Sequence, residues 1–206
     1  ILNVSKGWKI WLIHMSQESK KPRIFITGHT RGIGKAIFEL YKSKGFMCHG
    51  VSKSQGLDVD KDCELIAQQM ANFKYVVLNA YAKDSQLRML KQIIKLYQDE
   101  DKHIAVITST SGTSAGMDSS LKEQEYNWYC KNKKELIEYI EKAQQDLYEK
   151  PIQIYDICPD TVKTDMSEGL WDEYPKLDVK DVAECVDMCF SKKFNINKIV
   201  IQKYAH

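Results

Sequence analysis

Tyr129 and Lys133 lie four residues apart in Tyr129-Cys130-Lys131-Asn132-Lys133, inside a stretch whose pattern predicts a long helix from about Gln124 to Tyr148. That spacing is close to one helical turn, so phenol and ammonium project from one face. A nearby ammonium favours phenolate and would bring the tyrosine pKa down towards the range useful for proton transfer. Upstream, Thr108-Ser109-Thr110-Ser111 follows a predicted strand end, where a hydroxyl can hold a substrate carbonyl against the phenol. Ser109 is the first candidate for that role and Ser111 the second, because the Thr-Ser repeat permits a shift of two residues. Either feature alone is ordinary: a Tyr-x-x-x-Lys pair is common on helix surfaces, and a Thr/Ser run is a common polar turn. Their joint occurrence is what calls for an explanation.

A second group of residues suits an anion. Thr27-Gly28-His29-Thr30-Arg31-Gly32-Ile33-Gly34-Lys35 joins the apolar run Ile24-Phe25-Ile26 to an amphipathic segment, so three glycines fall where a strand turns into a helix. Glycine there permits positive φ and lets a pyrophosphate approach the backbone, while free N–H groups at the helix start favour negative charge. A P-loop is excluded, because five residues separate Gly28 from Gly34 and Ala36 follows Lys35, leaving no hydroxyl for magnesium. The remaining alternative is a glycine-rich βα turn with no ligand.

The elements that must position these groups alternate along the chain. Strands are predicted at Ile24–Ile26, Phe46–Val51, Tyr75–Leu78, Ile104–Thr108, Ile152–Ile157 and Lys198–Ile201. Helices are predicted at Lys35–Lys44, Asp60–Asn72, Ser85–Tyr97, Gln124–Tyr148 and Val179–Phe190. This order predicts an α/β protein, a single doubly wound parallel sheet of the Rossmann type with helices on both faces. Ligands of such sheets bind beyond the carboxyl ends of the strands, which directs attention to Gly28–Gly34, Ser52–Ser54, Asn79–Tyr81, Ser109–Gly112 and Pro159–Thr164.

Composition sets the bounds. The 206 residues suit one domain, read as 21–206. Residues 1–20 read as a leader or tag-like segment outside the fold, with Met15 as a natural start, the alternative being an apolar arm that docks on a partner subunit. The charge of +2, from 30 basic and 28 acidic residues, argues against nucleic acid, and no apolar run is long enough for a membrane span. The six cysteines form no CxxC pair and no secretory signal is recognisable, so reduced thiols and a cytoplasmic location are expected. No metal site is expected. Cys185 and Cys189 share a helical face, but without suitably placed histidines they read as core.

Taken together, these motifs resemble the short-chain dehydrogenases/reductases, over about Arg23 to Ile201, as a shortened and divergent member. Thr27, Gly28, Gly32, Ile33 and Gly34 match the glycine motif, Asn79-Ala80 part of the Asn-Asn-Ala-Gly motif, Ser109 the catalytic serine, and Tyr129 with Lys133 the catalytic pair. Pro159, Val162 and Thr164 lie in a segment similar to the one that cradles the nicotinamide. The resemblance implies an oxidoreductase interconverting a carbonyl and an alcohol by hydride transfer, with a small-molecule substrate. Tyr129 would be the general acid in reduction or base in oxidation, Lys133 would bind the nicotinamide ribose and depress the tyrosine pKa, and Ser109 would orient the carbonyl. The expected cofactor is NADP(H): no acidic residue ends the second strand, whereas Arg31, Ser52, Lys53 and Ser54 can converge on a 2′-phosphate, with Thr30 also in the glycine loop. Asp58 and Val59 match positions beside the adenine.

The departures are as informative. Leu78 and Tyr81 replace the first asparagine and the glycine of Asn-Asn-Ala-Gly, and Asp160 stands where a glycine usually follows the proline. No asparagine lies between Asn79 and Ser109, so the helix asparagine of the family's proton relay is absent, its place open to Ser85, Gln86 or water. That helix also helps form the family's usual interface, so a homo-oligomer is expected to be a dimer before a tetramer. The long interval from Ser109 to Tyr129, with Met117, Leu121, Tyr126 and Trp128, is read as one wall of a substrate cleft. Leu170, Trp171 and Tyr174 are read either as a lid or as packing. Two other readings remain: a protein that binds dinucleotide without turnover, as a redox sensor or interaction module, and an isomerase or dehydratase on the same scaffold.

Overall fold

The computed structural model describes residues 21–113, 123–169, 172, 173 and 175–203, with the side chains of 123–125 left aside. Six strands are described: β1 (Arg23–Thr27), β2 (Met47–Val51), β3 (Tyr75–Leu78), β4 (His103–Ile107), β5 (Gln153–Pro159) and β6 (Lys198–Ile201). All pair in parallel, in the order β2-β1-β3-β4-β5-β6. The helices are α1 (Gly32–Ser43), α2 (Cys63–Gln69), α3 (Ser85–Tyr97), α4 (Glu123–Asp146) and α5 (Val179–Ser191).

Alternation along the strands sends apolar side chains to both faces. In β1, Ile24 and Ile26 join Ile37 and Tyr41 of α1 and Val182 and Val186 of α5, whereas Phe25 faces Ile66 of α2, Leu90 and Ile93 of α3, and Leu136 and Ile140 of α4. Two helices therefore cover one face and three the other, as expected of a doubly wound sheet. Cys189 is fully buried in the first of these cores and Cys185 packs against it, both as free thiols. No helix among the described residues is long and apolar enough to cross a membrane.

The chain leaves β1 towards β2 on one side and returns to β3 on the other, so the strand order reverses between β1 and β3. That reversal opens a crevice beyond their carboxyl ends. Two helices depart from the sequence pattern by more than two residues at an end. Helix α1 starts at Gly32, so the last two glycines of the loop lie inside its first turn. The predicted helix over 60–72 is a shorter α2, because Asp58-Val59-Asp60 is held in a turn by Asp58 and Asp62 carboxylates bonded to backbone N–H groups, and Met70–Asn72 tightens to a 3₁₀ turn.

Helix α4 approaches the strand ends through Gly112. A Cβ built on Gly112 would lie 2.7 Å from the Lys133 carbonyl carbon and 2.8 Å from the Lys134 nitrogen. Backbone cannot yield as a flexible side-chain tip can. Gly112→Ala is expected to push α4 away and to destabilise the fold by about 1–3 kcal/mol, as other overpacked contacts do. Urea unfolding checks this, and an unchanged midpoint would show that α4 has slack at this point.

Candidate active site

Thr27 ends β1 with its side chain inward. Its Oγ1 accepts hydrogen bonds from the backbone N–H groups of Asn79 (3.0 Å) and Ala80 (3.1 Å), locking the segment after β3 to the end of β1. Asn79 Nδ2 donates back to the carbonyls of Thr27 and Gly28. The glycine loop is thus held from below, and its glycines are needed for close approach. Gly28 has φ +72°, and a Cβ on Gly34 would lie 2.1 Å from the Gly28 oxygen. Arg31, the N-cap residue of α1, makes no side-chain capping bond, and the first turn carries no acidic residue. An uncapped helix start facing a cradle of glycines is a fit for a phosphate.

The other cofactor candidates gather around this loop. A Cβ on Gly32 would meet Thr164 Cγ2 at 3.3 Å, so the loop abuts the segment after β5. Thr164 caps a short turn through Ser167, whose hydroxyl also donates to the Val162 carbonyl, and buried Val162 bridges to Leu177. Asp160, the departure from the family's glycine, accepts from Thr110 Oγ1 and from the Thr161 N–H, tying the ends of β4 and β5 together. Ser52 is buried, with its hydroxyl 3.0 Å from that of Ser54.

Two cations expected to meet a 2′-phosphate are paired with carboxylates. Arg31 lies 3.6 Å from Asp165, and Lys53 lies 3.3 Å from Asp58. Asp58 is kept below the usual carboxylate range, first by the Asp60 N–H and then by Lys53. Asp165 comes from a segment that meets Arg31 only in the fold, whereas Asp58 follows Lys53 by five residues across the turn after β2. Both cations are exposed, so their pairs are of the weak, solvent-screened kind.

Ser109, Tyr129 and Lys133 are brought together. Ser109 is buried at the end of β4, where its hydroxyl accepts from the Ser111 N–H and hydrogen-bonds Tyr129. Ser111, the second candidate, meets Tyr126 instead, at 3.4 Å. Lys133 is only 3% exposed, and its Nζ donates to Gln86 Oε1 (2.7 Å) and to the Ile107 carbonyl (2.8 Å). The same nitrogen lies 5.6 Å from the Tyr129 ring centre and 5.5 Å from that of Tyr81. Tyr81 packs edge-on to Tyr129 and accepts a hydrogen bond from Asn132 Nδ2. The residue standing in place of the motif's glycine therefore roofs the lysine.

The electrostatics correct one expectation. Tyr129 was expected to be acidified by Lys133, but burial pushes its phenol up to about 12, with the Ser109 hydrogen bond pulling the other way. Burial also lowers Lys133 to about 7, partly offset by Asp156 and Cys158 beneath it. An ammonium that burial drives towards neutrality lends its neighbour little positive charge. Asp156 itself is 1% exposed, accepts from Thr108 Oγ1 and pairs with Lys198 at 3.3 Å, while burial raises its pKa. The sequence pattern pointed to Thr27 and Thr108 but not to Asp156. A carboxylate in the middle of the apolar strand Ile154-Tyr155-Asp156-Ile157-Cys158 was the available signal. Of the proposed cleft walls, Met117, Leu121, Leu170, Trp171 and Tyr174 lie outside the described residues, while Trp128 is exposed with Lys131 against its ring.

The lysine's shift has a testable sign. Its pKa falls from 10.5 unfolded to about 7 folded, so between those values the unfolded chain holds a proton that the folded chain lacks. Raising the pH from 7 to 10.5 therefore stabilises the fold through this group. The unfolding free energy of the unsubstituted chain minus that of Lys133→Met, measured in urea across this window, should climb by up to about 1.4 kcal/mol per pH unit. A flat difference would mean that the nitrogen titrates as a solvated amine.

No protein-family model matches the sequence, and no curated protein does. Solved structures do match in fold. A short-chain dehydrogenase from Burkholderia cenocepacia J2315 in complex with NADP aligns with TM-score 0.74 at 13% identity, over 89% of each chain. The TT0495 protein from Thermus thermophilus aligns with TM-score 0.70 at 14% identity, over 87% of this chain and 96% of that one. A short-chain dehydrogenase/reductase from Vibrio parahaemolyticus aligns with TM-score 0.66 at 20% identity, over 87% of this chain and the whole of that one. With its glycine loop, switch-point crevice and single parallel sheet, the chain has the fold of the short-chain dehydrogenases/reductases, as its motifs led us to expect.

Proposed function

We propose that this protein is an NADP(H)-dependent oxidoreductase of the short-chain dehydrogenase/reductase family that interconverts a small-molecule carbonyl and alcohol. The observation that carries the reading is the meeting of Ser109, Tyr129 and Lys133 at the end of β4, beside the crevice that the glycine loop and Asn79 shape. Two structural neighbours, the Burkholderia dehydrogenase and a small-chain dehydrogenase, hold NADP and NADPH respectively. NADPH bound in this crevice would supply the hydride. Gly28, Thr30, Gly32, Ile33 and Gly34 would hold its pyrophosphate, Asn79 and Ala80 the adenosine side, and Pro159, Val162 and Thr164 the nicotinamide side. Arg31, Ser52 and Lys53 would read the 2′-phosphate, which has to displace an exposed carboxylate, Asp165, and a partly buried one, Asp58.

Within that frame the protein's own groups divide the work. Ser109 donates to the substrate oxygen and holds it against Tyr129. Tyr129 gives its proton to that oxygen as negative charge develops, and a phenol kept protonated by burial is in the right state to do so. Lys133 lies 5.6 Å from the Tyr129 ring centre and would donate to the nicotinamide ribose, its burial leaving it little charge to lend the phenol. Screening a carbonyl panel with NADPH tests the reading, and Tyr129→Phe should lower kcat about 10²–10⁴-fold with the fold retained. Activity that survived this change would remove Tyr129 as proton donor.

The second reading, dinucleotide binding without turnover, draws its support from Tyr81. Ribose hydroxyls can reach Lys133 only after the Tyr81 ring turns aside, because the nitrogen has almost no exposed surface. Binding must therefore draw on a less populated arrangement. Tyr81→Ala is expected to tighten NADPH binding several-fold in a fluorescence titration, whereas weaker binding would assign the ring to packing against the cofactor. Tight NADPH binding with no turnover across the panel would favour the second reading.

A further inference from the structure

The side chain that holds Lys133 most closely is Gln86, in the first turn of α3. It is 4% exposed, and all its hydrogen-bonding capacity is directed at the strand ends and the lysine. Its Nε2 donates to the Leu78 carbonyl at 2.9 Å and to the Ile107 carbonyl at 3.0 Å, the last residues of β3 and β4. Only the amide nitrogen can serve two carbonyls, so the amide orientation is fixed and Oε1 must face Lys133 Nζ, 2.7 Å away. The Ile107 carbonyl accepts from both groups, closing a three-membered arrangement of lysine, glutamine and strand end.

We propose that Gln86 is a positioning residue for Lys133, clamping its Nζ at the end of β4 so that α4 presents the lysine beneath Tyr129. This rests on the oxidoreductase reading for its consequence in turnover, though not for the clamp itself. A core glutamine serving only to satisfy strand-end carbonyls would need no lysine on its oxygen. Conversely, a flexible four-carbon amine without this acceptor would be held by the Ile107 carbonyl alone and could swing about it. The other groups facing Nζ are the Tyr81 and Tyr129 rings, and Asp156 and Cys158 on the strand beneath it. None of them hydrogen-bonds it, so among the described residues Gln86 supplies its one side-chain acceptor.

A double-mutant cycle tests this, with Gln86→Met, Lys133→Met and the double variant assayed for NADPH-dependent carbonyl reduction. Gln86→Met should lower kcat/KM about ten-fold or more alone and cost nothing further once Lys133 is methionine. Equal losses in both backgrounds, or no loss in either, would overturn the proposal. Titration of ¹⁵N-lysine-labelled protein by NMR, without cofactor, reads the clamp independently of turnover. The Lys133 midpoint should fall by about half a unit or more in Gln86→Met and rise in Gln86→Glu, where a carboxylate replaces the amide. An unmoved midpoint in both variants would overturn the clamp, and if Gln86→Met fails to fold, Gln86→Glu alone decides. If no carbonyl is turned over, the oxidoreductase reading fails while the titration still decides the role of Gln86.

Discussion

Taking the Lys133 amine out of water sets the terms for its surroundings. A buried ammonium costs several kcal/mol unless neighbours replace its hydration, and in this protein the replacement is divided among a side-chain amide, a strand-end carbonyl, two aromatic rings and a more distant carboxylate. Each neighbour comes from a different element: Gln86 from α3, Ile107 from β4, Tyr81 from the loop after β3, Tyr129 from α4 and Asp156 from β5. The nitrogen is therefore a junction through which those elements are held in register. The close backbone approach at Gly112 is what allows α4 to deliver it there.

A second constraint acts at the strand-order reversal. Where β1 and β3 lie side by side, their chains diverge and strand pairing stops, leaving backbone groups to be satisfied by side chains. Thr27 and Asn79 meet that need reciprocally, one accepting two N–H groups and the other donating to two carbonyls. The same four bonds hold the glycine loop open towards the crevice. These bonds account for the threonine and asparagine at these positions, while their neighbours Leu78 and Tyr81 depart from the family pattern. Leu78 points into the core, and Tyr81 covers the lysine.

The fold was legible because each strand carries a short apolar run and each helix an amphipathic one, and because Gly45 punctuates the α1–β2 connection. The convergence of Ser109, Tyr129 and Lys133 was legible through resemblance. Spacing alone could place only the last two on one helical face. What escaped was everything set by burial or by meetings between distant segments. Four-residue spacing says that two groups are near each other, but not whether water surrounds them. That is why the expected acidification of Tyr129 gave way to a phenol and an amine both pushed towards neutrality. The pairing of Arg31 with Asp165 was hidden because these residues meet only after the chain folds, and the short spacing of Lys53 and Asp58 does not by itself say that they pair.

These two constraints bear on each other at Tyr81. A glycine there would leave Lys133 open to the crevice and to water. The aromatic ring instead completes a low-dielectric pocket in which the amine is satisfied from within and its charge is weakly held. Anything that binds beside Lys133 must compensate for the contacts that Tyr81 makes with Asn132, Tyr129 and the amine. The aromatic ring in place of the glycine thus couples the satisfaction of the buried amine to the packing of α4 against the loop after β3.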